Sequence, residues 1–175
     1  MSPFAWLEQT SLAVWIGQST SFFAYPAILL VHTIGLTLVA GVNFVVALRV
    51  LGLSPRILLS ELPKLFPLMW VGLVMNTTTG LLLLIAKATQ FVVNPAFYIK
   101  MLSIAVAVSI FFVMRARVFH DPLVDEHPVQ GHGRMLALAS ICFWLLAIVG
   151  GRAMAYVGEA AEFSAWLPTP DLWVM

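Results

Sequence analysis

His32 is the residue from which chemistry can be argued first. No charged side chain lies between Glu8 and Arg49, and His32 sits well inside that run. Imidazole changes charge near neutral pH, and an ionisable group inside an apolar span is costly enough to mark function by default. Lys100 belongs with it. The uncharged stretch between Lys100 and Arg115 is too short to cross a hydrocarbon core of about 30 Å at about 1.5 Å per residue. Arg115 is anchored by Arg117, so Lys100 is the residue that enters the membrane. Arg152 lies one to two turns inside the last apolar segment, with Tyr156 one turn beyond on the same face. Asn76 and the run Thr77-Thr78-Thr79 fall at comparable depth. Two cations, an imidazole and several hydroxyls with no acid inside the membrane call for an anionic or polar ligand. The predicted binding set is His32, Lys100, Arg152, Tyr156, Asn76 and Thr79. Its candidate ligands are haem b (His32 on the metal, Lys100 and Arg152 on the propionates), a quinone, or a lipid phosphate. Haem needs a further ligand from Met75, Met101, Met154 or a second copy's His32, or else stays five-coordinate.

Each residue also has a plainer role. His32 can simply hydrogen-bond a neighbouring helix, and Lys100 and Arg152 can snorkel to phosphates. His120, His127 and His132, with Asp121, Asp125 and Glu126, resemble a metal site in composition only. Their spacing fits no metal template, which predicts a solvated loop. The Met and Phe residues of the apolar segments read as packing. Neither HExxH, a Gly-rich phosphate loop nor a hydrolase-like Ser/His/Asp spacing occurs, so no catalytic residue is assigned.

The elements that must position these groups are transmembrane helices. The 175 residues are 61% hydrophobic and 10% charged, with mean hydropathy +0.98. A soluble domain is about 45–50% apolar and about 25% charged. The net charge of +1 comes with no basic stripe, which argues against nucleic acid. A lone Cys142 excludes an internal disulfide, and the N-terminus lacks a signal-peptide pattern. The predicted architecture is all-α: a single transmembrane domain over residues 1–175, with a four-helix bundle over 22–157 and interfacial pieces at 1–18 and 158–175. The first piece reads as one short interfacial helix over Phe4–Ile16, carrying Trp6 and Trp15. Helix one starts near Ser19 or at Pro26, the second putting His32 roughly 9 Å deep. Ser54-Pro55 predicts an N-cap and first-turn proline for a short amphipathic surface helix, with Leu58, Leu62 and Leu65 opposite Arg56, Ser60 and Lys64. Helix two spans about Pro67 to Ala86, helix three about Ala96 to Val118 after an Asn94-Pro95 turn, and helix four about Met135 to Val157. A polar segment, His120 to Arg134, joins the last two. Gly72, Asn76 and Gly80 form a small-residue face open to another helix.

Arg49, Arg56 and Lys64 in the first loop, with Arg115, Arg117 and Arg134 about the third, put both loops in the cytoplasm by the positive-inside rule. Both termini are then outside.

Several stretches in order resemble a known bacterial family of small four-helix inner-membrane proteins, classed as a domain of unknown function. They are His32-Thr33-Ile34-Gly35 with Gly41; Ala47-Leu48-Arg49-Val50-Leu51-Gly52-Leu53; Thr79-Gly80-Leu81-Leu82-Leu83; Asn94-Pro95-Ala96-Phe97 with Lys100; and Gly151-Arg152-Ala153-Met154-Ala155-Tyr156. The resemblance covers about Tyr25 to Tyr156. It implies the bacterial inner membrane, and puts His32, Arg49, Lys100, Arg152 and Tyr156 at the family's polar positions. Acidic residues often precede the histidine and the Leu-Arg pair in that family. Here Val31 and Ala47 stand there instead, which weakens a proton relay.

The expected function is therefore a non-catalytic inner-membrane protein that binds a cofactor or lipophilic ligand in its outer half, as a subunit of a redox complex. Its partners are the bilayer and other membrane subunits or further copies. Alternatives are an oligomeric transporter or channel subunit, packed through the Gly72/Asn76/Gly80 face, and a structural subunit with no ligand.

Overall fold

Pro26 decides where the first span begins. Proline lacks an N–H and biases the residue before it away from helix, so it is tolerated only in a first turn. In the computed structural model α3 runs Tyr25–Val50 with Pro26 in its first turn, and the earlier start near Ser19 does not occur. The structure describes residues 4–119, 125, 129 and 131–166, with side chains except at 155 and 157–166. Two short helices precede α3: α1 (Ala5–Glu8) and α2 (Ser11–Gln18). A 3₁₀ segment, Leu59–Leu65, follows it, then α4 (Phe66–Ala86), α5 (Ala88–Val92), α6 (Pro95–Arg117) and α7 (Gly131–Trp166). No strand occurs among the described residues.

The end of α3 explains the Leu51-Gly52-Leu53 sequence. Gly52 takes φ +87°, open to glycine and disfavoured for other residues. Its N–H bonds Arg49 O at 3.0 Å, and Leu53 N–H bonds Leu48 O at 3.0 Å. This pair of bonds is the Schellman motif, which closes the last free carbonyls of a helix. Arg134 Nη2, from α7, donates to the next carbonyl, Leu51 O, at 3.2 Å.

The first loop departs from expectation. Ser54 caps no helix; a turn forms instead, with Ile57 N–H on Ser54 O at 3.2 Å. Pro63 and Pro67 remove two donors within five residues, so the chain settles into 3₁₀ geometry before α4 begins. Nor does the segment merely lie on a surface. Leu59 and Leu62 are 1% and 2% exposed and join the core, while Leu58 is 54% exposed. Its start is held by Asp125, which accepts from Leu59 N–H at 2.6 Å and Ser60 N–H at 3.2 Å and lies 4.0 Å from Arg49 Nη2. Arg49 Nε also donates to Ile57 O. Asp125 is thus a tied residue rather than part of a solvated loop; His120, Asp121, Glu126 and His127 lie outside the described residues.

The Ser60 hydroxyl above all, then the Leu59 and Ser60 amides and Arg49, hold the Asp125 carboxyl below the usual carboxylate range. A depressed folded-state pKa means stability that is present above the unfolded value and lost as pH falls through the folded one. Asp125→Asn should melt below wild type at neutral pH, and the gap should close as pH drops through and below the carboxylate range. A gap that persists unchanged through and below that range would refute the cap.

Packing is pairwise. Helix α3 lies along α4 and α6 along α7, with α3 against α7 joining the pairs. The core holds Val39, Val46, Phe66, Met69, Phe111 and Trp144. Four helices, Tyr25–Val50, Leu59–Ala86, Pro95–Arg117 and Gly131–Met154, are long and apolar enough to cross a membrane. Their outward faces carry Leu30, Val74, Leu102 and Val149, all more than half exposed. Apolar surface on every span needs a bilayer to cover it. The architecture is that of an all-α membrane protein.

At the ends the helices differ from their expected bounds. The N-terminal segment is two helices, because Thr10 Oγ1 accepts from Ala13 N–H at 3.3 Å and starts α2 afresh. Ala13 and Ile16 are buried against the bundle, while Trp6 is 64% exposed. Glu8 accepts from Thr89 N–H at 2.7 Å and Thr89 Oγ1 at 2.6 Å, tying α1 to α5. Helix α6 starts at the expected Asn94-Pro95 turn, and there Asn94 Oδ1 caps it by accepting from Ala96 N–H at 2.9 Å. Helix α7 is longer than expected at both ends, absorbing His132 and Arg134 and running on to Trp166; the rest of the expected interfacial tail, 167–175, lies outside the described residues.

Candidate functional site

Small residues bring α3 and α4 together, and the site is built on that contact. A Cβ on Gly72 would stand 2.7 Å from Leu38 Cβ and 2.9 Å from Gly35 O, and one on Gly35 would stand 2.8 Å from Asn76 N. The backbones cross at Gly35 and Gly72 with no room for a side chain. One turn further along, the His32 ring lies over Gly80, whose added Cβ would meet Cε1 at 3.2 Å. The Gly72/Asn76/Gly80 face is therefore occupied by α3 of the same chain. The expectation that this face packs a second copy is corrected: α3 of the same chain already covers it at Gly35, Leu38 and His32.

His32 is 8% exposed. It lies seven residues from the start of α3 and Thr79 seven from the end of α4, so both sit about 10 Å from the same end. Thr79 Oγ1 donates its one proton to Met75 O at 2.6 Å, with Asn76 O at 3.3 Å as a weaker second acceptor. The 3.0 Å contact between Thr79 Oγ1 and His32 Nδ1 must then run from the ring: Nδ1–H donates and the hydroxyl accepts. The imidazole is held in the tautomer whose Nε2 carries a lone pair. Asn76 Nδ2 donates to His32 O at 2.9 Å. The same nitrogen is 3.4 Å from Nε2 and 3.5 Å from Nδ1, and so nearly equal a pair of distances places it off either lone-pair axis. Nε2 has no in-line donor among the described residues.

Lys100 arrives from the other helix pair. It lies across the Gly150-Gly151 face of α7, with its Cδ, Cε and Nζ each 3.8 Å from where a Gly151 Cβ would stand. Its ammonium is within electrostatic reach of the His32 imidazole. Among the described residues it has no carboxylate within 4.0 Å and no hydrogen-bond acceptor. The structure thus brings His32, Asn76 and Thr79 into contact, with Lys100 nearby. Arg152 and Tyr156 have exposed side chains on α7, outside that contact. No group of three metal-ligating side chains forms among the described residues.

Sequence reasoning named His32, Asn76 and Thr79 by depth, but not Gly35 as the partner of Gly72. A glycine on each of two neighbouring apolar helices at matching depth was the available signal. Asp125 and the Glu8–Thr89 pair gave none. Trp144 gave none either: it is 2% exposed, and its indole N–H has no acceptor among the described residues.

Comparison with family models, with curated proteins and with solved structures finds no match to this chain.

Proposed function

We propose that this is a non-catalytic membrane protein that holds the hydroxyl-bearing headgroup of an amphiphile, a quinol or a lipid, between His32 and Lys100. The observation that carries this reading is the fixed tautomer: Thr79 takes the Nδ1 proton and leaves the Nε2 lone pair without an in-line donor. A free lone pair selects a ligand that donates an O–H, and the Lys100 ammonium, with no carboxylate partner among the described residues, suits an oxygen acceptor on the same headgroup. Haem asks for more, a flat opening at Nε2, where the imidazole is only 8% exposed. The residues present suit a headgroup better than a macrocycle. The resemblance to small four-helix inner-membrane proteins, and an orientation with both termini outside, belong to the same proposal.

Native mass spectrometry of the full chain, extracted in mild detergent, tests it. Wild type should retain a discrete amphiphile, and His32→Ala should lose about tenfold in occupancy with the fold intact, in keeping with one hydrogen bond to a charged or strongly polar group. Equal retention by both would refute it. A Soret band in wild type that disappears in the variant would identify haem instead. A second reading is favoured by the bonds from His32 to Thr79 and from Asn76 to His32 O, which tie α3 to α4. There His32 is a structural clamp, and its loss moves stability alone.

A further inference from the structure

At the opposite end of the bundle a groove of about 430 Å³ opens between the start of α4 and the end of α6, lined by Pro63, Phe66, Pro67, Trp70, Arg115 and Phe119. Its volume lies within the roughly 300–1,000 Å³ of small-molecule sites. We propose that it seats one anionic phospholipid, with the phosphate on Arg115 and an acyl chain running along Trp70 and Phe112. This inference is independent of the His32 reading.

The cation is placed at the groove. The Arg115 guanidinium stands 5.9 Å over the Phe66 ring, which holds its charge at the groove. Of the other basic groups at this end, Arg49 is engaged with Asp125 and Ile57 O, Lys64 with Glu61 and Arg134 with Leu51 O, while Arg56 and Arg117 do not line the groove. Arg115 has no carboxylate within 4.0 Å among the described residues. A planar guanidinium without a counter-ion is suited to a phosphate, which it binds through two parallel N–H···O bonds.

The walls are preformed. Phe66 meets Phe111 edge-to-face at 4.9 Å and Phe119 at 5.4 Å, and Trp70 lies 5.7 Å from Phe112. Pro63 and Pro67 stiffen the floor. Little ordering remains to oppose binding. Beside Trp70, Phe112 is 49% exposed and continues the apolar wall of the groove along α6. Tryptophan favours headgroup depth, and basic pockets between transmembrane helices bind anionic headgroups. A soluble anion would use Arg115 and leave the apolar wall uncovered, whereas a phospholipid uses both.

The test reconstitutes the full chain in phosphatidylcholine nanodiscs doped with brominated phosphatidylglycerol or brominated phosphatidylcholine, and reads tryptophan quenching. Brominated phosphatidylglycerol should quench more strongly at equal mole fraction. The excess should vanish in Trp70→Phe. Arg115→Gln should need about tenfold more phosphatidylglycerol for the same excess, with Arg115→Lys intermediate and Arg56→Gln unchanged. Equal quenching by the two lipids in wild type overturns the proposal, as does an unchanged preference in Arg115→Gln. Wild type provides a check that needs no variant: the preference must weaken as salt rises. A preference indifferent to salt overturns the assignment to Arg115.

Discussion

Gly72→Val is expected to remove most of the folded protein, or to lower its melting temperature by about 10 °C or more. The added Cβ alone would stand 2.7 Å from Leu38 Cβ, 2.9 Å from Gly35 O and 3.0 Å from Val39 N. Two of those three atoms are backbone, so no rotamer change relieves the contact; α3 and α4 must separate. Overpacking costs about 1–3 kcal/mol and occasionally more, and a backbone clash at a helix crossing belongs at the upper end. For a chain of this size about 3 kcal/mol corresponds to about 10 °C. Separation would also pull His32 from Thr79 and Asn76, so any bound amphiphile should be lost with the fold. Gly41→Ala is the matched control. It lies on the same helix, an added Cβ meets nothing within 4 Å, and alanine is favoured over glycine inside a helix by about 0.5–1 kcal/mol. It should melt slightly above wild type. Thermal unfolding followed by circular dichroism in one detergent decides both. A Gly72→Val protein that melts with wild type would mean that α3 and α4 do not cross where Gly35 and Gly72 meet.

That contrast also shows how far the sequence could be read. Hydropathy located the four spans, because a bilayer demands long apolar helices whatever their packing. Pro26 and Asn94-Pro95 located helix starts, because their constraints are local. The glycines at 41, 72 and 80 look alike in sequence. Which of them touches another backbone depends on the partner helix, and only the fold supplies Gly35. The first loop misled for the same reason. Ser54-Pro55 is a good local cap, yet the segment starts five residues later, on a carboxylate supplied by Asp125 from 66 residues away.

The site was legible in depth and illegible in direction. Counting from helix ends placed His32 and Thr79 at one level, since rise per residue is fixed. Rotation about each helix axis is not fixed by an all-round apolar sequence. Depth alone does not separate Thr77, Thr78 and Thr79; the predicted set takes Thr79, and packing is what puts it on the imidazole. Arg152 and Tyr156 share that ambiguity, and both turn outward.

Lys100→Met should raise the stability of the lipid-free protein while weakening amphiphile retention, and the opposite signs separate function from structure. Lys100 lies about 8 Å inside α6 from Pro95, against Gly150 and Gly151, with no carboxylate partner among the described residues. Placing a lysine at the centre of a membrane helix costs about 2.5–3.5 kcal/mol on insertion scales, and less near an end, where the chain can snorkel. Methionine keeps most of the aliphatic length that covers the two glycines and removes the charge. A gain of about 1–2 kcal/mol in the stripped protein is the expected balance. Retention should instead fall about tenfold, because the ligand's oxygen loses its cation. The two measurements are a thermal melt of delipidated protein and native mass spectrometry of gently extracted protein. If Lys100 only packs and snorkels, the substitution stabilises the stripped protein and leaves retention untouched. If an acid beyond the described residues pairs with it, stability falls. Only a ligand that uses the ammonium yields a more stable and emptier protein, the pattern of a group kept at a cost to the fold.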